Sequence, residues 1–163
     1  VVVGVHWGVE NSHAIVKSQR VLAQSLADWG ADLIVGTHPH VLQDAQWLTA
    51  ADGRQVFTAY SLGNFISTQE KPDQLIGAIL TVQLKKTTQP DGSVQRAVLT
   101  PQLLPTVTHY DAGKANVRTY LFRDYTQELA QNHGVRAKYS DFSLDTIQKI
   151  AQNNISSEFL QLT

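Results

Sequence analysis

Val1-Val2-Val3-Gly4-Val5-His6-Trp7-Gly8 opens the chain, and Ala31-Asp32-Leu33-Ile34-Val35-Gly36-Thr37-His38-Pro39-His40 repeats its pattern. Each begins as a short apolar run rich in β-branched residues, as expected of a strand buried on both faces of a parallel sheet. Between them the period changes. Ile15, Leu22, Leu26 and Trp29 fall on one helical stripe, with Lys17, Gln24 and Asp28 mostly off it. Gly30 stands where a helix C-terminal glycine belongs. This predicts a strand over 1–5, a helix over 14–29 and a strand over 32–35. Together they make a right-handed βαβ unit with parallel strands.

Working outward, a turn at Ala51-Asp52-Gly53 leads to a third strand over 55–60, which runs into Ser61-Leu62-Gly63-Asn64-Phe65. Two further strands, 76–85 and 94–99, are joined as a hairpin around Pro90-Asp91-Gly92-Ser93. Residues 101–114 read as extended connecting chain, because two prolines and a glycine interrupt them. Leu121, Tyr125 and Leu129 predict a helix over 117–132, and a weaker helix covers 144–152. The fold class is α/β.

The 163 residues carry 13 Lys and Arg against 14 Asp and Glu, for a net charge of −1. That gives no basic excess to neutralise phosphates, so nucleic acid is not an expected partner. No apolar run reaches the roughly 18 residues of a membrane-spanning helix. Cysteine is absent, which removes disulfides and thiolate chemistry together. Methionine is absent too, so the chain is expected to be part of a larger protein whose upstream segment carries any targeting signal and the rest of an active site.

The chemistry gathers at strand ends. His6 follows the first strand, and His38 and His40 follow the second. Parallel strands bring those ends to one edge of the sheet, where open α/β proteins place ligands. Imidazole is the commonest metal ligand near neutral pH, so these three are candidate metal ligands. A polar substrate pocket is the alternative for the same cluster. Glu10 could supply a ligand, a hydrogen bond to one, or a general base. Asn64, after the third strand, is a candidate substrate contact or ligand, against the plainer reading of Gly63-Asn64 as a turn. Trp7 is a candidate substrate contact or a wall of the pocket. His13, His109 and His133 read as structural or solvated.

His6-Trp7-Gly8-Val9-Glu10, Gly30 to Gln43 and Tyr60-Ser61-Leu62-Gly63-Asn64-Phe65 occur in order, and the series resembles the CapA-type bacterial capsule (poly-γ-glutamate) biosynthesis proteins, over about residues 1–105. That family is related in fold to the calcineurin-like metallophosphatases. The resemblance implies the C-terminal part of a metallophosphatase-like four-layer α/β/β/α sandwich. It divides the chain into a 1–110 portion of that domain and a helical segment over 111–163. It implies His6, His38 and His40 as ligands of divalent metal (Mn, Fe, Zn or Mg), with Glu10 and His38 catalytic and Asn64 and Trp7 at the substrate. Two departures stand out. Asn11 replaces the family's tyrosine after the glutamate, and the aspartate-bearing metal motifs of the superfamily are absent.

The resemblance therefore implies a metal-dependent hydrolase or transferase of capsule synthesis, inactive as this piece alone. The alternative is a non-enzymatic capsule-assembly or polymer-binding component. Implied partners are an anionic polymer or a phosphorylated small substrate, other capsule-synthesis proteins, and the N-terminal part of the same domain. The implied location is the extracellular face of the cell envelope, through a membrane anchor in an N-terminal segment.

Overall fold

The valine-rich opening forms strand β1 (Val2–His6), and the second apolar run forms β2 (Leu33–Thr37), in a computed structural model that describes residues 1–163. Helix α1 (Lys17–Asp28) connects them. The strands pair in parallel, with His6 opposite Thr37. The βαβ unit is thus as the sequence predicts, with its helix three residues shorter at the start.

Two strands complete this sheet. β4 (Gln55–Leu62) pairs in parallel with β2, and β3 (Leu42–Thr49) pairs antiparallel with β4, giving the order β1-β2-β4-β3. β3 is not apparent from the sequence because its inward positions are not all apolar. Gln43 is fully buried there, where its side chain accepts from Gln19 Nε2 of α1 at 2.8 Å.

The second sheet is an antiparallel meander of β5 (Ile76–Thr88), β6 (Val94–Asp111) and β7 (Ala115–Leu121). The expected hairpin is present, but β6 continues through the residues read as connecting chain. Its interruption is local: Thr100 and Pro101 together face Val82, and Thr100 takes φ 47° at that bulge. The helix expected over 117–132 is replaced by β7 and a six-residue helix α2 (Gln127–Asn132). Leu121 and Leu129 share a helical spacing by accident. Arg118 to Leu121 pair with β6, and the Thr126 hydroxyl caps α2 by accepting from Leu129 N. Helix α3 (Leu144–Asn154) matches its expected place, capped by Ser143.

Alternation along β2 and β4 separates two cores. Leu33, Phe57 and Ala59 face the second sheet, while Ile34, Val56 and Tyr60 face α1. Residues 111–163 send Tyr125, Ala130, Phe142, Ile147 and Phe159 into the core between the sheets. Residue 110 lies inside β6, and the C-terminal tail bonds to Leu103 of that strand through Phe159 O and Gln161 N. The molecule is a mixed α/β protein of two packed sheets, with α1 on the outer face of the first.

Candidate functional site

β1, β2 and β4 run parallel, so their C-terminal ends emerge on one edge and carry His6, the His38-Pro39-His40 turn and Asn64. The His6 and His38 rings lie 4.3 Å apart between centroids, and those of His38 and His40 lie 6.3 Å apart. The three imidazoles therefore form a row with His38 in the middle. His6 is exposed, and His38 and His40 are half-buried.

The turn that aims them is strained. His38 has φ 103° and His40 φ 61°, both in the left-handed region, on either side of buried Pro39. Non-glycine residues there cost of order 1–3 kcal/mol each and persist only where the surroundings hold them. Asn11 is one such hold. Its own φ is 60°, its N–H donates to Pro39 O at 2.7 Å, and its Oδ1 accepts from Gln74 Nε2. The loop over 8–16 is fastened from behind by Gln43, whose Nε2 donates to Ser12 O and Ala14 O at 2.9 and 3.1 Å. Asn11, Gln43 and Gln74 escape sequence reasoning as site supports, since amides at irregular spacing carry no periodic signal.

Asn64 has a more specific part than the sequence assigns. Its Nδ2 points at three carbonyl oxygens: His40 O at 3.2 Å, Gln69 Oε1 at 2.8 Å and Gln74 O at 3.0 Å. That fixes the amide orientation and turns Oδ1, an acceptor only, toward His40 Nδ1 at 2.9 Å. His40 must then donate from Nδ1, which leaves the lone pair on Nε2. An orienting partner of this kind is what metal-ligating histidines use to hold one tautomer. Gly63 and Gly77 allow the approach: a Cβ on Gly77 would lie 2.2 Å from Asn64 O.

Trp7 is buried, at 7 % exposure, with its indole N–H donating to Tyr60 O at 2.8 Å and its ring stacked on Tyr60. It packs beneath the edge rather than lining it. Gly36 makes room, since a Cβ there would lie 2.3 Å from Trp7 Nε1. Glu10 is exposed on the turn after β1 and has no side-chain hydrogen bond or ion pair.

As donors for a cation, the His6–His38 pair and the oriented His40 are of the right chemical type, all neutral nitrogen. No group of three His, Cys, Asp or Glu side chains is arranged to hold a metal ion. A cation here would need donors beyond these imidazoles.

The remaining histidines lie elsewhere. His13 Nδ1 meets Leu42 O at 2.7 Å, and the Asp73 carboxylate 3.6 Å from its Nε2 raises its pKa. His109 of β6 and His133 behind that strand are buried, their rings 4.8 Å apart. His133 Nδ1 accepts from Val135 N–H and Nε2 donates to Thr108 O, and burial pushes its pKa down to about 4.

Residues 1–69, which carry the strand-end histidines and Asn64, match the profile of the family described as bacterial capsule synthesis protein PGA_cap. The PGA biosynthesis protein CapA of Bacillus subtilis (strain 168) is 42 % identical over 86 residues, covering 53 % of this chain and 21 % of the relative. The capsule biosynthesis protein CapA of Bacillus anthracis is 45 % identical over 69 residues, 42 % of this chain and 16 % of the relative. The matched stretch thus spans about a fifth of those relatives or less. No helix is long and apolar enough to cross a membrane.

Proposed function

We propose that this chain carries one edge of a metal-dependent hydrolase or transferase site in a capsule (poly-γ-glutamate) biosynthesis protein of the cell envelope. The observation that carries the proposal is the Asn64 bond that orients His40, on a strained turn shared with His38, whose ring in turn neighbours His6. In this reading His6, His38 and His40 hold a divalent cation, of the Mn, Fe, Zn or Mg type, together with donors from the rest of a metallophosphatase-like domain. When bound, such a cation supplies Lewis-acid stabilisation of a phosphoryl or acyl oxygen. Glu10, free of partners and four residues past His6, orients water or substrate as a general base. His38, central in the row, is the ligand on which turnover depends. Asn64 acts through His40 rather than on substrate. The substrate is an anionic polymer or a phosphorylated small molecule, and the working partners are other capsule-synthesis proteins. The names of the relatives support the capsule setting, and the extracellular side with an N-terminal anchor is the location that goes with it.

A second reading has its own support: no three acidic or imidazole groups are arranged for a metal, which suits a polymer-binding component without turnover. The two are separated by assaying the full-length protein against model phosphoesters and γ-glutamyl peptides, before and after chelation and metal re-addition. Turnover that is lost on chelation, restored by one divalent metal and abolished by His38→Ala supports the enzyme. A full-length protein that binds polymer and turns over nothing under any metal overturns it.

A further inference from the structure

Four contacts close a circuit that begins and ends at His40, and His13 makes two of them. From His40 the chain runs through Val41 to Leu42, the first residue of β3, whose carbonyl oxygen meets His13 Nδ1 at 2.7 Å. His13 Nε2 faces Asp73 Oδ1 at 3.6 Å, on the short helical turn Pro72–Leu75. The next residue of that turn, buried Gln74, accepts from Asn64 Nδ2 through its main-chain oxygen at 3.0 Å. Asn64 Oδ1 then returns to His40 Nδ1 at 2.9 Å. Gln74 Nε2 also donates to Asn11 Oδ1, which ties the loop carrying Glu10 and His13 to the same turn.

The bonding sets the charge of His13. A carbonyl oxygen only accepts, so His13 Nδ1 carries a hydrogen. A neutral ring would then aim the Nε2 lone pair at the Asp73 carboxylate, two acceptors face to face. A second proton removes that conflict and makes an ion pair. The surroundings add little against it. Lys71 is the other cation near Asp73. Asp44 of β3 borders the same hollow as His13, with its Oδ1 already accepting from Ala45 N and Ser156 N. The end of α3 brings only the neutral Gln152, Asn153 and Asn154 to that hollow. Asp73 raises the His13 pKa above 6.5 despite the opposing effect of burial, and His13 lowers that of Asp73.

We propose that His13 is a positioning residue for His40: as an imidazolium held between Leu42 O and Asp73, it keeps Gln74 placed to accept from Asn64, and so keeps Asn64 on His40 Nδ1. The dependence on pH has a definite sign. A histidine whose folded pKa is raised contributes in full below its unfolded value of 6.5, and that contribution is lost as pH rises through the folded value. The circuit therefore slackens on the alkaline side. Its consequence for turnover rests on the role proposed above for His40, whereas the orientation of His40 is read directly.

The test is a pH titration, from about 6 to about 9, of the full-length protein carrying ¹⁵N-labelled histidine. His13 should titrate with a midpoint above 6.5, and the His40 nitrogens should move from the Nδ1–H form toward a tautomer mixture with that same midpoint. Asp73→Asn should bring the His13 midpoint to 6.5 or below and leave His40 mixed across the range. Asp73→Glu, which keeps the charge, should restore both. His13→Gln keeps a donor for Leu42 O without the charge, and His40 should then be mixed at every pH. A wild-type His13 midpoint at or below 6.5 overturns the proposal. So do His40 shifts that ignore the His13 titration, or a His40 Nδ1–H form that both Asp73→Asn and His13→Gln leave intact. A protein that turns over nothing under any metal, yet whose His40 follows His13, supports the positioning part and removes the enzyme.

Discussion

At the scale of the residue, the side chains that matter most are those with no freedom left. Asn64 bonds His40 through Oδ1 and three carbonyl oxygens through Nδ2. Replacing it by alanine leaves partly buried acceptors unpaired, so a loss of about 1–3 kcal/mol is expected. The same change releases His40 Nδ1. Nitrogen shifts of the His40 ring should therefore move from the Nδ1–H form toward a mixture of tautomers, and an unchanged spectrum would remove Asn64 from its orienting part. Gly36 is constrained from the other side. A Cβ there would lie 2.0 Å from Tyr60 O, a backbone atom, as well as against the Trp7 ring. Gly36→Ala should cost about 3 kcal/mol or more, seen as a large fall in the midpoint of thermal unfolding. A near-native midpoint would mean that Trp7 and the Tyr60 backbone can give way to the added methyl.

Among the elements, the segment behind β6 makes a clear prediction about pH. His133 is buried in the neutral form, and its folded pKa of about 4 lies below the ordinary 6.5 of an unfolded histidine. In that interval the unfolded chain binds more protons, so stability falls as pH drops from about 6.5 toward about 4. His109 is shifted in the same direction by burial and adds to the slope. Denaturant titrations between pH 7 and pH 4.5 should show that fall, and His133→Asn, which cannot charge, should flatten it. A slope that His133→Asn leaves untouched would assign the effect to the carboxylates instead. The α2 cap belongs at this scale too: Thr126→Ala should cost about 1 kcal/mol, measured the same way. Which elements were legible in the sequence follows from how regular their patterns are. β1, α1 and β2 could be read because strand and helix periods change cleanly between Val5 and Leu33. β3 could not, because buried Gln43 breaks its alternation. The β7–α2 region misled because three apolar residues four apart belong to a strand, a turn and a helix. Thr126 with Glu128 in the first turn was the signal that could have divided them.

For the molecule as a whole, the parallel order of β1, β2 and β4 is what turns scattered histidines into one edge, and that much followed from the sequence. The supports around that edge did not. Asn11, Gln43 and Gln74 reach it from distant positions and act through single hydrogen bonds that leave no trace in a periodic pattern. ¹H–¹⁵N spectra of the histidine rings during titration with Mn²⁺ show whether His6, His38 and His40 form one cation-binding edge. His6, His38 and His40 should broaden together at the lowest metal concentration, while buried His109 and His133 stay sharp. Broadening that starts at His13 beside Asp73, or that spreads equally over all exposed histidines, would contradict it.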